Sequence, residues 1–224
     1  MKTPLKVLFL GKKEDEYCLE ALAFCQRNFQ EVEYYLNKWG DRLPENIGRC
    51  DCDYIISYLS TWVIPEYILK NAKVASINFH PGSPDYPGVG CSNFALYENS
   101  MEYGVTCHHM ALKVDTGTII SFKRFPISPS DTVATLTSKT YDHQLVLFYD
   151  VMAVILNGEQ LPKSEKQWQR RAFTRKELDE LARITPSMSK DEIARRIRAT
   201  SYNKWQPILK IHGFEFEFKP ERSG

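Results

Sequence analysis

Residues 74–90 read VASINFHPGSPDYPGVG, and the fold follows from how this stretch is read. The apolar run Val74 to Phe79 passes without a break into a loop built around Gly82, Pro84, Pro87 and Gly88. A short apolar run ended by Pro and Gly has the pattern of a buried strand, and a stiff, tightly turned loop lets backbone approach a ligand closely. Asn78 and His80 are two residues apart, so they project to the same side of the strand at its carboxyl end.

Three similar runs precede it: KVLFL at 6–10, Val32 to Leu36, and YIISYL at 54–59. Between the first two, residues 14–29 carry apolar side chains at Cys18, Leu22, Cys25 and Phe29, a helical spacing. Pro65 suits the first turn of a helix before the fourth run, where its missing N–H is not needed. Short apolar strands separated by helices predict an α/β fold, a doubly wound, mostly parallel sheet covered on both faces. Ligands of such sheets bind beyond the carboxyl ends of the strands, which brings Asn78 and His80 to the same crevice as residues 58–62.

Downstream, a helix is expected near residues 92–98, strands over 104–109 and 118–127, and a long helix from Asp131 to about Gly158. In that helix Tyr141, Leu145, Phe148, Met152 and Ile155 form one apolar row, with Leu147, Val151 and Val154 beside it, so much of its circumference is buried. From Leu161 onward charged residues dominate. Two short helices are announced by capping boxes, Thr174 with Glu177 and Ser189 with Glu192. Residues 208–218 read as a β-hairpin turning at Gly213, and its FEFEF alternation leaves one apolar face to be covered by the main core or by a partner subunit. The division expected is a catalytic core over 1–160 and a helical and β-hairpin extension over 161–224.

Composition fits a folded globular protein: 224 residues, 43% hydrophobic and 12% aromatic, enough for one substantial core. A net charge of +1 gives no global field for gripping a polyanion, and Arg195, Arg196 and Arg198 read as a solvated helix face, so no nucleic-acid partner is expected. No apolar run reaches the roughly 18 residues needed to span a bilayer. The cysteines at 18, 25, 50, 52, 91 and 107 contain no CxxC pair and no leader pattern precedes the first strand, so they are read as reduced and the protein as cytoplasmic. GxGxxG is absent after the first strand, where Gly11, Lys12 and Lys13 stand. Cys107, His108 and His109 are consecutive strand residues facing alternate sides, which excludes a metal cluster there. Cys91 carries no mark of activation and is read as packing.

A second stretch, GVTCHHMALKVDTG at 104–117, presents Asp115 in a loop after a strand. Together the two stretches resemble the folate-dependent formyltransferase family, in which an Asn-x-His unit at a strand end is followed by a Pro/Gly loop, a Gly-Val-Thr-x-His strand and an Asp-x-Gly turn. Asn78, His80, Thr106, His108, Asp115 and Gly117 match that pattern position by position.

The chemistry asks for the same residue types. Attack of an amine on a formyl amide creates an oxyanion that needs donors, releases a proton that needs a base, and needs a proton on the leaving nitrogen. Asn78 can donate at any ordinary pH, and His80 can donate or exchange protons near neutrality. Asp115 can orient the imidazole or relay its proton. The sequence leaves the base open between His80 and Asp115.

The resemblance implies 10-formyltetrahydrofolate as the formyl donor, with no metal. Its pteridine would contact Tyr58, Leu59, Trp62, Val63 and Ile64, together with His108 and Asp115. Within the family, NFHP, the PxYPG loop and a C-terminal hairpin are most similar to sugar N-formyltransferases. The implied acceptor is a nucleotide-linked amino sugar, a dTDP-4-amino-4,6-dideoxyglucose by preference, and the implied assembly a homodimer. Acceptor contacts would fall to Pro81, Gly82, Tyr86, Gly88, Asn93 and Tyr97, with Tyr202 and Trp205 stacking on the base. Methionyl-tRNA formyltransferases are longer and carry a full C-terminal barrel with a basic path, which argues against tRNA here; methionyl-tRNA and another nucleotide sugar are the alternative acceptors. A non-catalytic folate or nucleotide-sugar binding module is the alternative of another class, and the intact Asn78, His80 and Asp115 argue against it.

Overall fold

The computed structural model describes residues 2–49, 51–203 and 205–219; Cys50 lies outside them. The first strand, β1 (Thr3–Lys12), is followed by helix α1 (Glu16–Asn28) and strand β2 (Phe29–Asn37). Asp15 caps α1 by accepting from the Cys18 N–H, so the helix begins two residues later than the apolar spacing alone implies. Strand β3 (Cys52–Tyr58), the single-turn helix α2 (Glu66–Leu69) and strand β4 (Ala72–His80) come next. Pro65 sits at the N-cap of α2, one position ahead of the first turn.

Beyond β4 the chain forms α3 (Cys91–Tyr97), β5 (Glu102–His109), β6 (Ile119–Pro126) and the long helix α4 (Val133–Leu156). The strands make one six-stranded sheet in the order β2-β1-β3-β4-β5-β6. Pairs from β2 to β4 are parallel, and the β4–β5 and β5–β6 pairs are antiparallel. This is the expected α/β architecture with a mostly parallel sheet.

Continuous apolar runs form the central strands because both sheet faces are covered. Val7, Phe9, Ile56 and Phe79 face α1 and α4, while Leu8, Leu10 and Ile55 pack against Ile47, Ile64 and Ile68 on the opposite side. Helix α4 is capped by Thr132, which exchanges hydrogen bonds with Thr135; Asp131, one residue earlier, is buried and takes Lys139 and the Ser128 N–H. Its Gln144 is wholly buried and donates to the Phe79 carbonyl at 2.7 Å, between Asn78 and His80.

After α4, residues 164–173 cross back over the sheet edge and are fastened by backbone bonds. The Ser164 N–H donates to the Ile119 carbonyl, Gln169 to Pro84 and Phe173 to Pro87, and the Val89 N–H donates to the Phe173 carbonyl. Helices α5 (Arg175–Leu181) and α6 (Lys190–Thr200) follow, with the two-residue strand β7 (Arg183–Ile184) between them. Thr174 and Glu177 form the expected reciprocal capping box. Ser189 caps α6 by accepting from the Glu192 N–H, and the Glu192 carboxylate is engaged by Arg195, Arg196 and Tyr97.

The expectation of a solvated arginine face on α6 is corrected. Arg196 bonds the carbonyls of Glu180, Leu181 and Arg183 at the end of α5, and Arg198 bonds those of Asp131 and Ser128. These guanidiniums satisfy orphan carbonyls and hold the extension together.

Strands β8 (Ile208–Ile211) and β9 (Phe214–Glu217) form the hairpin, pairing with β7 in a three-stranded sheet. His212 and Gly213 both have positive φ, the conformation that a two-residue type I′ turn requires. Phe214 and Phe216 are 67% and 54% exposed, so the main core does not cover the apolar face. Among the described residues, no helix is long and apolar enough to cross a membrane.

Candidate active site

Strand β4 carries Asn78 and His80 on one side at its carboxyl end, and the antiparallel register sets Asn78 beside His108 and His80 beside Thr106 on β5. Asp115 arrives from the loop between β5 and β6, in a left-handed conformation at φ 51°. The result is a buried cluster centred on one carboxylate. Asp115 Oδ2 lies 3.3 Å from His80 Nδ1 and accepts from the Gly88 N–H at 2.7 Å, while Oδ1 lies 3.2 Å from His108 Nε2.

Each imidazole is fixed at its other nitrogen. His80 Nε2 donates to the Tyr86 carbonyl at 3.1 Å, and His108 Nδ1 donates to the His109 carbonyl at 2.8 Å. Carbonyl oxygens only accept, which sets these protons. His108 Nε2 is therefore the atom that decides the state of its ring. Bare, it accepts from Asn78 Nδ2 at 3.1 Å; protonated, it donates to Asp115.

Burial works to raise the Asp115 pKa, but the neighbouring His80, the bond from His108 and the Gly88 N–H outweigh it and hold the carboxyl down at about 2. The carboxylate is thus a fixed negative charge between two rings that can each carry a proton.

Close packing keeps the cluster in place. A Cβ on Gly82 would stand 2.3 Å from His80 Nε2, and one on Gly117 would stand 1.7 Å from the His109 carbonyl oxygen. The buried Thr106 hydroxyl donates to the Gly82 carbonyl at 2.7 Å, tying β5 to the loop after His80.

The cluster opens onto a cleft of about 490 Å³ at the carboxyl ends of β1, β3 and β4. Leu59, Trp62, Val63, Ile64, Met110 and Val114 give it a largely apolar lining, and Lys12, Tyr141, Pro81, Gly88 and Val89 line it too. Leu59 has φ 55°, uncommon for a branched side chain, and it turns the chain out of β3 into the cleft wall. Trp62 is held by donation from Nε1 to the Asp41 carbonyl at 2.9 Å.

Of the residues singled out in the sequence, Asn78, His80, His108, Asp115, Leu59, Trp62, Val63, Ile64, Pro81 and Gly88 line this cleft. Other expected contacts are placed elsewhere. The Tyr58 ring is fully buried against Phe79 and Phe148 in the core, because strand alternation turns Ser57 toward the cleft and Tyr58 away from it. Gly82 acts by making room for His80. Tyr86 is buried, with its hydroxyl on Glu98, and it reaches the site only through its carbonyl.

Asn93 donates to the Ala199 carbonyl and Tyr97 to Glu192, so both belong to the α3–α6 interface. Tyr202 and Trp205 bond each other's backbone, and the Trp205 ring packs against the main core. Neither pair lines the cleft.

Several cleft residues lie outside the sequence reading. Lys12, held by Asp15, and Tyr141 belong to segments read only as strand end and helix. Met110, Lys113 and Val114 come from a loop with no periodic signal. Burial pushes the Cys91 thiol up to about 11 and the thiols of Cys18 and Cys25 up to about 12, so these are packing residues. Among the described residues no group of three His, Cys, Asp or Glu side chains is arranged to hold a metal ion.

A formyl transferase family model matches residues 20–152, the segment that carries Asn78, His80, His108 and Asp115. The chain is similar to a methionyl-tRNA formyltransferase of Levilactobacillus brevis, 30% identical over 52% of this chain and 38% of that protein. It is also similar to a GDP-perosamine N-formyltransferase of Brucella melitensis, 30% identical over 73% of this chain and 62% of that protein. The chain thus spans less than two thirds of the length of these relatives. Its fold resembles that of an N-formyltransferase from Helicobacter canadensis solved with folinic acid and dTDP-3-aminofucose, with a TM-score of 0.71, 22% identity, and coverage of 93% of this chain and 85% of that one. With more than half of its length matched by the family model, the chain belongs to the formyl transferase family.

Proposed function

We propose that the protein is a sugar N-formyltransferase that moves a formyl group from 10-formyltetrahydrofolate to the amino group of a nucleotide-linked sugar, with dTDP-4-amino-4,6-dideoxyglucose as the preferred acceptor. The observation that carries this reading is the cluster of Asn78, His80, His108 and Asp115 opening onto one cleft. A flat heteroaromatic donor fits the apolar lining of that cleft, between Leu59–Ile64 and the loop before Asp115. The acceptor amine then approaches past Lys12, Pro81 and Gly88, which line the same cleft.

In this reading the donor supplies the formyl group, and the chain supplies position, donors and a proton path. The amine nitrogen forms a bond to the formyl carbon, and the carbonyl oxygen takes up negative charge. Asn78 donates to that oxygen through the second N–H of its amide while the first rests on His108. The bond to the donor nitrogen then breaks. The proton lost by the amine passes through the His80–Asp115 pair, which acts as a unit, and ends on the leaving nitrogen, so the step balances without another reactant.

Residues 1–160 form the catalytic core in this account, and 161–224 an extension that completes it. The exposed Phe214 and Phe216 are the contact face of a homodimer. Buried thiols at Cys18, Cys25, Cys91 and Cys107 accord with a reducing, cytoplasmic setting. Similarity to a GDP-perosamine enzyme and to the fold of one solved with dTDP-3-aminofucose supports a nucleotide sugar. Against tRNA, the extension's arginines on α6 are spent on internal carbonyls and Glu192.

The test is a panel in which the protein and 10-formyltetrahydrofolate meet dTDP-linked 4-amino and 3-amino sugars, a GDP-linked 4-amino sugar and methionyl-tRNA. Mass spectrometry of the acceptor is the readout. A formylated dTDP-4-amino sugar as the best product is expected. Formylation of methionyl-tRNA alone contradicts the acceptor, and folate binding without any product contradicts the enzyme reading.

A further inference from the structure

One side of the Asp115 cluster is covered by the indole of Trp168. Trp168 lies in the 164–173 segment, beyond the region matched by the family model. Its ring stands edge to face with both imidazoles, 5.7 Å and 73° from His80 and 5.0 Å and 85° from His108. Its Nε1 donates to the Gly117 carbonyl at 2.8 Å, in the turn that immediately follows Asp115. Trp168 also lines a second, polar cavity of about 390 Å³, together with Asp115, Gly117, Lys163, Lys166 and Arg170. Trp168 thus stands between the two imidazole rings and a polar, cationic pocket.

The 164–173 segment is held at both ends. Ser164 bonds Ile119 on one side, and on the other Gln169 and Phe173 bond the loop after His80. Arg170 makes a two-point bond to Glu98, and Phe173 stacks on Phe94 at 3.8 Å. The segment that carries the ring is tied by backbone bonds to the loop that supplies the Gly88 N–H to Asp115, and the ring itself is held by its bond to Gly117.

We propose that Trp168 is a positioning residue for the catalytic centre, which shields the His80 and His108 rings from the second cavity and fixes the planes of both imidazoles. Without the indole, water from the second cavity reaches both rings and competes with Asp115 for their N–H groups. The rings then lose their common partner and their orientation. Orientation errors of this kind cost on the order of 100-fold in rate when a reacting group moves by about 1 Å. The kinetic half of this inference rests on the formyl-transfer reading; the structural half does not.

The experiment uses the full chain as wild type, Trp168→Ala, Trp168→Leu and Trp168→Phe, with folding checked by thermal melting. Imidazole N–H protons of His80 and His108 are followed by NMR in 15N-histidine-labelled protein, without any ligand, with the carbon-bound ring protons of His143 as the internal reference. In wild type and Trp168→Phe both N–H signals are expected to persist, because an aromatic wall remains. In Trp168→Ala, or in Trp168→Leu if the alanine variant does not fold, they are expected to vanish by exchange with water.

In the formyl-transfer assay, kcat of the small-side-chain variant falls about 10- to 100-fold while KM for the folate donor stays within about 3-fold, and phenylalanine restores most of it. Retention of both N–H signals in Trp168→Ala or Trp168→Leu overturns the proposal, as does an equal loss in Trp168→Phe. If wild type formylates no nucleotide sugar, the functional reading fails, while the NMR comparison still decides the role of Trp168.

Discussion

Asp115 takes an unfavourable backbone conformation, φ 51°, and turns its two carboxylate oxygens to the rings of His80 and His108. Its carboxyl is held at about 2 in the folded chain, against roughly 3.9 for a free aspartate. A depressed folded pKa contributes stability that is complete above about pH 4 and is lost as pH falls toward 2. Asp115→Asn is therefore expected to make stability less dependent on pH between 4 and 2, which acid titration followed by circular dichroism measures. Asn78→Ala removes the oxyanion donor and His80→Asn breaks the proton path, and each is expected to lower kcat by about 100- to 1000-fold. The melting temperature is expected to stay unchanged in Asn78→Ala and to fall in His80→Asn, which takes a buried partner from Asp115 and from the Tyr86 carbonyl. Asn78, His80 and Asp115 were legible in the sequence because residue type and spacing are themselves the signal. Tyr58 was misplaced because a strand end cannot be assigned a facing until its last hydrogen-bonded residue is known, and Leu59, at φ 55°, ends β3 one residue after it.

At the scale of elements, β4 is positioned from behind by α4. Gln144 donates to the Phe79 carbonyl from a fully buried position, and no apolar periodicity points to it. Gln144→Ala leaves that carbonyl unpaired and is expected to cost about 1–3 kcal/mol in denaturant unfolding. Gly82→Ala drives a methyl group against His80 Nε2; it is expected to lower kcat more than stability, read by comparing turnover with the unfolding midpoint. The sheet strands and α1, α3 and α4 were legible because buried strands and amphipathic helices impose apolar periods. Residues 164–173 impose none: they are held by backbone bonds to Ile119, Pro84 and Pro87, which leave no trace in side-chain pattern. Asn93 and Tyr97 were expected at the acceptor for a related reason. Their partners lie on α6, about 100 residues later in the chain.

For the molecule as a whole, a near-neutral charge of +1 and a cleft at the sheet's carboxyl edge fit a small, moderately anionic acceptor better than a polyanion. The hairpin presents Phe214 and Phe216 to solvent, while Lys210 and Glu215 pair across its strands. Phe216→Glu is expected to convert a dimer to a monomer in sedimentation analysis; a monomeric wild type contradicts the assembly. The reaction itself is tested most directly by single-turnover transfer of the formyl group from 10-formyltetrahydrofolate to dTDP-4-amino-4,6-dideoxyglucose, wild type against Asn78→Ala with equal folding confirmed. The account predicts one formylated sugar per wild-type active site and a rate about 100- to 1000-fold lower in Asn78→Ala. Equal rates in the two proteins, or no transfer by wild type to any nucleotide-linked amino sugar, would contradict it.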